Sequence, residues 1–246
     1  MPKNDVNRKS SLAVLRNRLA AVAALIPADV RCVADIGYDH GRLIKKLVQT
    51  RPEIRAIGVE LQPHYIDQFW RLNIFENEAD RHRVDLRTGS GLAPLYPGEA
   101  DCLVLAGIGE TAIANILTAD PKKLLGVSSL VLAPSRYFIK LRAVLRELGF
   151  FTAKEDLVFE RGNFYHLALA QRGSDPAENS LIWHFGPRLF EAQHPGLYQF
   201  LTYLKPYLAV RMPFIEQQEP SFQVYLKQLD SAIKIARQFA EEKDKG

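Results

Sequence analysis

Between Val30 and Ala133 the chain repeats one pattern: a short apolar run, a stop at a glycine, an acid or a proline, then a polar or amphipathic stretch. The apolar runs are Val30–Ile36, Arg55–Glu60, Arg83–Arg87, Asp101–Ala106 and Ser129–Ala133. Near-continuous apolar strands spaced by helices predict βαβ units and a mostly parallel sheet, covered on both faces. Helices are expected over Gly41–Gln49, over Glu110–Leu117, near Pro121–Leu125 and over Tyr137–Leu148, the last stopped by Gly149. A longer one is expected from Pro63 to Ala79, with Tyr65, Ile66, Phe69, Trp70, Leu72 and Ile74 on its apolar face. An opening helix, capped by Ser10 or Ser11, carries Leu12, Leu15, Leu19, Val22 and Ile26 and ends at Pro27. Phe150–Phe159 and Phe164–Ala170 flank Glu160-Arg161-Gly162-Asn163, a hairpin signal that adds antiparallel edge strands. The fold class is α/β, a doubly wound, mostly parallel sheet.

At Gln171–Ser180 the composition turns to Gly, Ser, Asp, Pro and Glu, as in a linker. It divides residues 1–172 from a helical part, residues 181–246. There, Trp183–Ala209 and Ser221–Glu242 read as two helical stretches around a turn at Met212-Pro213. The second places Phe222, Tyr225, Leu226, Leu229, Ile233, Ala236 and Phe239 near a heptad seam, so a small helical hairpin is expected. With 47% hydrophobic and 24% charged residues, the chain has an ordinary globular composition rather than a disordered one. It contains no apolar run long enough for a bilayer and no signal-peptide layout, which points to a cytoplasmic protein with no membrane partner. Cys32 and Cys102 fall within strand runs and read as small core residues rather than a disulfide or metal ligands, so no metal is expected. A net charge of +4 permits a nucleic-acid partner without demanding one, and a monomer or weak dimer is expected.

The chemistry is concentrated at the strand ends. Asp35-Ile36-Gly37 closes the first run, Glu60 the second, Gly89-Ser90-Gly91 follows the third and Ala106-Gly107-Ile108-Gly109 the fourth. In a doubly wound sheet these ends share the edge where ligands bind. Glycines there let backbone approach a ligand closely. Glu60, 25 residues beyond Asp35, is placed to accept hydrogen bonds from the hydroxyls of a ribose. The first turn keeps Gly37 and Gly41 but has Asp39 where a dinucleotide fingerprint has glycine. A carboxylate there repels a pyrophosphate and suits a ligand carrying an ammonium and a sulfonium, as S-adenosylmethionine does.

Val-Ala-Asp-Ile-Gly-x-Asp-His (33–40), Gly-Val-Glu (58–60), Gly-x-Gly-Leu (89–92) and Leu-Ala-Gly-Ile-Gly (105–109) occur in this order. With Leu-x-x-x-Ala-x-x-Ile-Pro (19–27), Tyr-His-Leu-Ala-Leu-Ala (165–170) and Phe-Gly-Pro-x-Leu (185–189), they resemble the bacterial TrmK family, which methylates N1 of adenine 22 in tRNA. The resemblance covers most of the chain. It implies that Asp35, Gly37 and His40 form the cofactor loop, that Glu60 and its neighbour Leu61 hold the ribose, and that Gly89, Ser90 and Gly91 lie near the adenine. Ala106, Gly107 and Gly109 would lie near the methyl group. His40 has a plainer reading as a helix-start histidine bonded to backbone. Asp39 is the catalytic candidate, orienting the substrate by accepting from an exocyclic amine, or else the N-cap of the following helix. Arg42, Arg16 and Pro134 are the candidate substrate-binding residues.

The chain also departs from the family pattern. It has Ser90 for the usual acid or asparagine, Ala-Pro-Ser (133–135) for Gln-Pro-Asn, and Arg42 for an aromatic residue that could stack on the target base. It has Gly-Ile-Gly-Glu for Gly-Met-Gly-Gly, so Glu110 is expected to bring a charge to the cleft. Arginine can stack on a base and attracts phosphate. Further candidates for RNA contact are Lys3, Arg8, Lys9 and Arg18, then Arg136, Lys140 and Arg142, and Lys227, Lys234 and Arg237, each of which has solvated charge as its alternative. The leading reading is an S-adenosylmethionine-dependent methyltransferase acting on tRNA at N1 of an adenine. Its competitors are a divergent methyltransferase with another substrate and a cofactor-binding scaffold without catalysis.

Overall fold

The computed structural model describes residues 17–72, 75, 77–135, 138–178, 180–211 and 222–243. Seven strands form one sheet: β1 (Cys32–Ile36), β2 (Arg55–Glu60), β3 (Val84–Thr88), β4 (Cys102–Ala106), β5 (Ser129–Ala133), β6 (Phe150–Glu160) and β7 (Asn163–Arg172). Their order is β3-β2-β1-β4-β5-β7-β6. β1 to β5 are parallel, and β7 enters antiparallel between β5 and β6. The chain therefore leaves β1 to one side for β2 and returns to its other side with β4, which opens a crevice at their carboxyl ends.

The helices are α1 (Arg18–Leu25), α2 (Arg42–Thr50), α3 (His64–Arg71), α4 (Glu78–His82), α5 (Glu110–Ala119), α6 (Leu141–Glu147), α7 (Pro187–Glu191), α8 (Leu197–Arg211) and α9 (Phe222–Lys243). Alternate residues of each central strand feed opposite faces, which is why the runs are apolar throughout. Ala34, Ile36, Leu103, Leu105, Leu130 and Leu132 pack with Ile113 and Leu117 of α5 and with Leu141 and Leu145 of α6. Val33, Cys102, Val104 and Val131 pack with Val22 and Leu25 of α1 and with Leu43 and Leu47 of α2. Cys32 and Cys102 are both buried within strands.

Caps decide where the helices differ from expectation. The expected helix from Pro63 to Ala79 is two: α3 ends at Arg71, and Asn77 starts α4 by accepting the Asp80 N–H at 2.7 Å. Leu72, expected on the apolar face, is 55% exposed, and Ile74 lies outside the described residues. α1 begins at Arg18 with Asn17 accepting the Leu19 N–H, and α6 begins at Leu141. Ser10, Ser11, Leu12, Leu15, Arg16, Arg136 and Tyr137 lie outside the described residues, as do Lys3, Arg8, Lys9, Met212 and Pro213.

The β6–β7 hairpin turns on Arg161 and Gly162, both at positive φ (52° and 80°), the backbone of a tight two-residue turn. The stretch expected as a linker is not free. Its start completes β7, then Asp175 pairs with Arg188 and Glu178 with Arg146, at 2.9 Å for the latter. Acids that composition assigns to solvent are here straps onto the body.

The stretch Trp183–Ala209 is broken twice: Gly186, which has φ +98°, separates a 3-10 turn from α7, and residues 192–196 separate α7 from α8. α8 and α9 pack through Leu201, Leu204 and Leu208 against Leu229, Ala232 and Ala236, and onto Leu157 and Phe164 of the hairpin. The α9 seam runs Tyr225, Leu229, Ala232, Ala236 and Phe239, alternating steps of four and three, with Ala232 rather than Ile233 fully buried.

Candidate functional site

The β1 turn is built from left-handed backbone. Gly37 (φ 78°), Asp39 (φ 49°) and Gly41 (φ 64°) all lie at positive φ. Gly37 donates to Val59 O at 2.8 Å, fastening the turn to β2. Gly41 is the N-cap of α2, and a Cβ there would sit 2.1 Å from the Phe69 ring. α2 has no side-chain cap bond, so Asp39 is not its cap. Its carboxylate is 64% exposed and lies 3.7 Å from Nε2 of His40. The Asp39 N–H points to Glu60 Oε2 at 3.4 Å, and Glu60 Oε1 accepts the Leu61 N–H at 2.8 Å. Half-buried Glu60 thus braces the first two strand ends against each other. His40 sets its ring edge-on to Tyr65, at 6.2 Å between centroids.

Beneath this turn Asp35 is 6% exposed and has no hydrogen-bond partner among the described residues. Burial first, and then the Glu60 charge, push its carboxyl up to about 7. A buried carboxyl group without a partner in a cleft marks a place where a cation or donor is to arrive.

The glycines divide into two kinds. At Gly37, Gly107 and Gly109 a Cβ would meet nothing within 4 Å, so their backbone faces open space. At Gly89 a Cβ would meet Pro94 at 2.3 Å, and at Gly91 it would meet Ile116 at 3.2 Å, so protein packing fills those positions. Gly89 still joins the cluster by donating to Glu60 O at 2.9 Å, with Ser90 exposed beside it. On the other flank Ala106 lies level with Ala133, and Gly107 donates to Ala133 O at 2.9 Å. Pro134 is buried there, and Ser135 donates to Ile108 O at 2.8 Å.

The sequence-predicted residues Asp35, Gly37, Asp39, His40, Glu60, Leu61, Gly89, Ser90, Gly91, Ala106, Gly107, Gly109 and Pro134 therefore share one edge of the sheet. Arg42 opens α2 on the same edge, exposed and without a hydrogen bond or ion pair to the described residues. Arg16 lies outside the described residues. Tyr38 was missed: it is 4% exposed, with its hydroxyl buried and unpartnered among the described residues. Only its place between Gly37 and Asp39 could have signalled it.

Three expectations need correction. Glu110 does not turn a free charge into the cleft: its Oε2 accepts the N–H groups of Ile139 and Lys140 at 2.9 and 3.0 Å. Arg142 cannot meet RNA: it is 2% exposed and pairs with Glu155 and Thr152. Arg18 lies over the Tyr165 ring at 4.4 Å, with Glu160 at 4.0 Å, rather than standing in solvent. Lys140, Lys227 and Lys234 are exposed, and Arg237 pairs with Glu241. Among the described residues no group of three His, Cys, Asp or Glu could hold a metal ion, and no helix is long and apolar enough to cross a membrane.

A crevice with an unpartnered acid, open glycines and a second-strand acid is shared by many nucleoside-binding proteins. Comparison with known proteins decides among them. A family model described as a methyltransferase domain matches residues 15–168. The tRNA (adenine(22)-N(1))-methyltransferase of Bacillus subtilis is 31% identical over 163 residues, 66% of this chain and 67% of that one. The chain belongs to the TrmK family of methyltransferases. The crystal structure of B. subtilis TrmK matches over 92% of this chain and 98% of that one, with 26% identity and a TM-score of 0.71. Streptococcus pneumoniae Sp1610 in complex with S-adenosyl-L-methionine matches over 92% and 99%, with 25% identity and a TM-score of 0.72. The matches to TrmK structures thus extend beyond the sheet into α7, α8 and α9.

Proposed function

We propose that this chain is an S-adenosylmethionine-dependent methyltransferase that modifies N1 of adenine 22 in tRNA. The observation that carries the reading is Asp35, a buried carboxyl group with no hydrogen-bond partner among the described residues, beside open-faced Gly37, Gly107 and Gly109 in a TrmK-family crevice. These residues fit the methyl donor. Asp35 would face its ammonium group, the three glycines would admit its body, and Glu60 would accept from its ribose hydroxyls beside Leu61. Gly89, Ser90 and Gly91 would flank its adenine. When bound, S-adenosylmethionine supplies a methyl group on a sulfonium centre.

The chain's own residues supply position and charge. A ring nitrogen with a free lone pair needs orientation more than a strong base. Asp39, exposed at the mouth of the turn, would accept from the exocyclic amine of the adenine and face the positive charge that develops on the methylated ring. Arg42, exposed at the start of α2, and Pro134, directly after β5, would meet the incoming substrate. In this reading residues 1–172 carry the reaction, residues 181–246 are a second, helical domain whose α8 and α9 pack on the hairpin, and the enzyme works in the cytoplasm, where its substrate is.

The test is to incubate the protein with labelled S-adenosylmethionine and unmodified tRNA, then digest the RNA and identify the labelled nucleoside. N1-methyladenosine from position 22 is expected. Label in another nucleoside, or cofactor binding without any transfer to tRNA, rules the reading out. A second expected result concerns the ribose acid. Glu60→Ala should weaken cofactor binding by about 1–3 kcal/mol, read by calorimetry. Unchanged affinity would place the ribose elsewhere.

A further inference from the structure

Glu110 opens α5 directly after the post-β4 turn, yet its carboxylate serves the next loop. Oε2 accepts the backbone N–H groups of Ile139 and Lys140 at 2.9 and 3.0 Å. These donors stand at the start of α6, which has no side-chain cap of its own. Ser135, just after β5, and Ile139 and Lys140, at the start of α6, are thereby each tied to the residues that follow β4. Ser135 donates to Ile108 O at 2.8 Å, and Glu110 takes the other two donors. Phe138, 2% exposed, packs beside these donors, with its ring 5.1 Å from that of His166 and 5.3 Å from the Arg142 guanidinium.

Both loops leave the carboxyl edge of the sheet from β4 and β5, on the opposite side of β1 from Glu60. Gly107 and Gly109, which face open space, lie at their base. A loop at this place forms a wall of the crevice, and a wall that moves by an ångström misaligns an in-line transfer. A charged acceptor that holds two backbone donors is a firmer tie than a neutral one.

We propose that Glu110 is a positioning residue for methyl transfer: it locks the start of α6, at residues 138–140, to the post-β4 turn, so that the incoming base meets a wall already in place. The proposal rests on the functional reading above. It assigns Glu110 no contact with cofactor or substrate, and so separates it from the residues that bind them.

The test compares Glu110→Ala with Glu110→Gln in the full chain. Three quantities are read: hydrogen exchange at the 138–141 amides, the dissociation constant for S-adenosylmethionine, and kcat and KM on a tRNA transcript. In Glu110→Ala the 139 and 140 amides should exchange faster and kcat should fall about tenfold to a hundredfold, while cofactor affinity stays within about twofold. Glutamine keeps one acceptor oxygen and should restore kcat to within about threefold of the parent. The proposal is overturned if Glu110→Ala keeps full kcat, if both variants lose kcat equally, or if cofactor affinity falls in step with kcat. A parent protein that binds the cofactor but methylates no tRNA refutes the functional reading instead. Exchange then decides the tie, because unchanged protection at 139 and 140 in Glu110→Ala overturns it.

Discussion

Asp35→Asn is expected to stabilise the ligand-free protein at pH 8 and, in the same molecule, to weaken binding of the methyl donor. Burial and then the Glu60 charge raise the Asp35 carboxyl from 3.8 to about 7. The unfolded chain loses that proton near 3.8, whereas the folded chain holds it until about 7. Between those values the native state binds more protons, so this group makes stability fall as pH rises. The loss is complete above about 7 and amounts to about 4 kcal/mol at most. An asparagine carries no such charge, so the variant's melting temperature at pH 8 should exceed the parent's by several degrees, and the two should converge near pH 4. Donor affinity should fall by about tenfold or more, because a charge-assisted contact to the ammonium is lost. In the parent, affinity should instead rise as pH passes through about 7 and Asp35 ionises. Thermal melts at both pH values and calorimetry of donor binding check the result. Equal melting temperatures at pH 8, or a variant that binds the donor as tightly as the parent, refute it.

That trade between stability and binding was half visible in the sequence. Asp35, Gly37 and Glu60 could be named because strand ends declare themselves: a run buried on both faces must be apolar, so an acid or a turn glycine close to its end marks the edge. Arg55–Glu60 and Ser129–Ala133 match the structure residue for residue for the same reason. Arg161-Gly162 was legible because a tight hairpin needs two residues at positive φ. What stayed hidden depends on partners distant in sequence. Asp39 looks like a cap until the Phe69 ring claims the space at Gly41 and fixes that glycine in the role. Asp175 and Glu178 look solvated until Arg188 and Arg146 arrive. Glu110 reads as an active-site charge because its acceptor role involves backbone 29 and 30 residues away. No local pattern encodes such contacts. Helix ends fail for a nearer cause: one side-chain bond at Asn77 splits what apolar periodicity joins.

The same blindness to distant partners makes Arg142 the most instructive error, and the largest loss of stability is expected from its partner. Glu155 accepts from Arg142, from His166 at 2.9 Å and from the Arg188 N–H at 2.9 Å. One carboxylate therefore joins α6, β6, β7 and the start of α7, with side-chain exposures of 1% for Arg142, 0% for Glu155 and 3% for His166. Burial pushes the Glu155 carboxyl up, but Arg142 and His166 outweigh it and hold it at about 2. Burial also keeps His166 below its ordinary value, against the pull of Glu155. Both shifts act in one direction. The Glu155 contribution is present above about 4.5 and is lost as pH falls towards about 2. His166 adds to this, because the unfolded chain takes up a proton below 6.5 that the folded chain refuses. The contribution of this cluster should therefore decline on acidification from about pH 6.5, opposite in sign to that of Asp35 over the same range.

Glu155→Ala strands the Arg142 charge in the interior, where its Nε already has no partner among the described residues. A loss of about 3–5 kcal/mol is expected, lowering the melting temperature by about 6–20 °C, with kcat preserved at temperatures where the variant stays folded. Adding Arg142→Met removes the stranded charge and should recover more than half of the loss, since an apolar replacement of a buried ion pair is often close to neutral. A melting temperature for Glu155→Ala within about 2 °C of the parent would show that the pair does not join these elements. A double variant no better than the single would mean that the cavity, not the unpaired guanidinium, carries the loss.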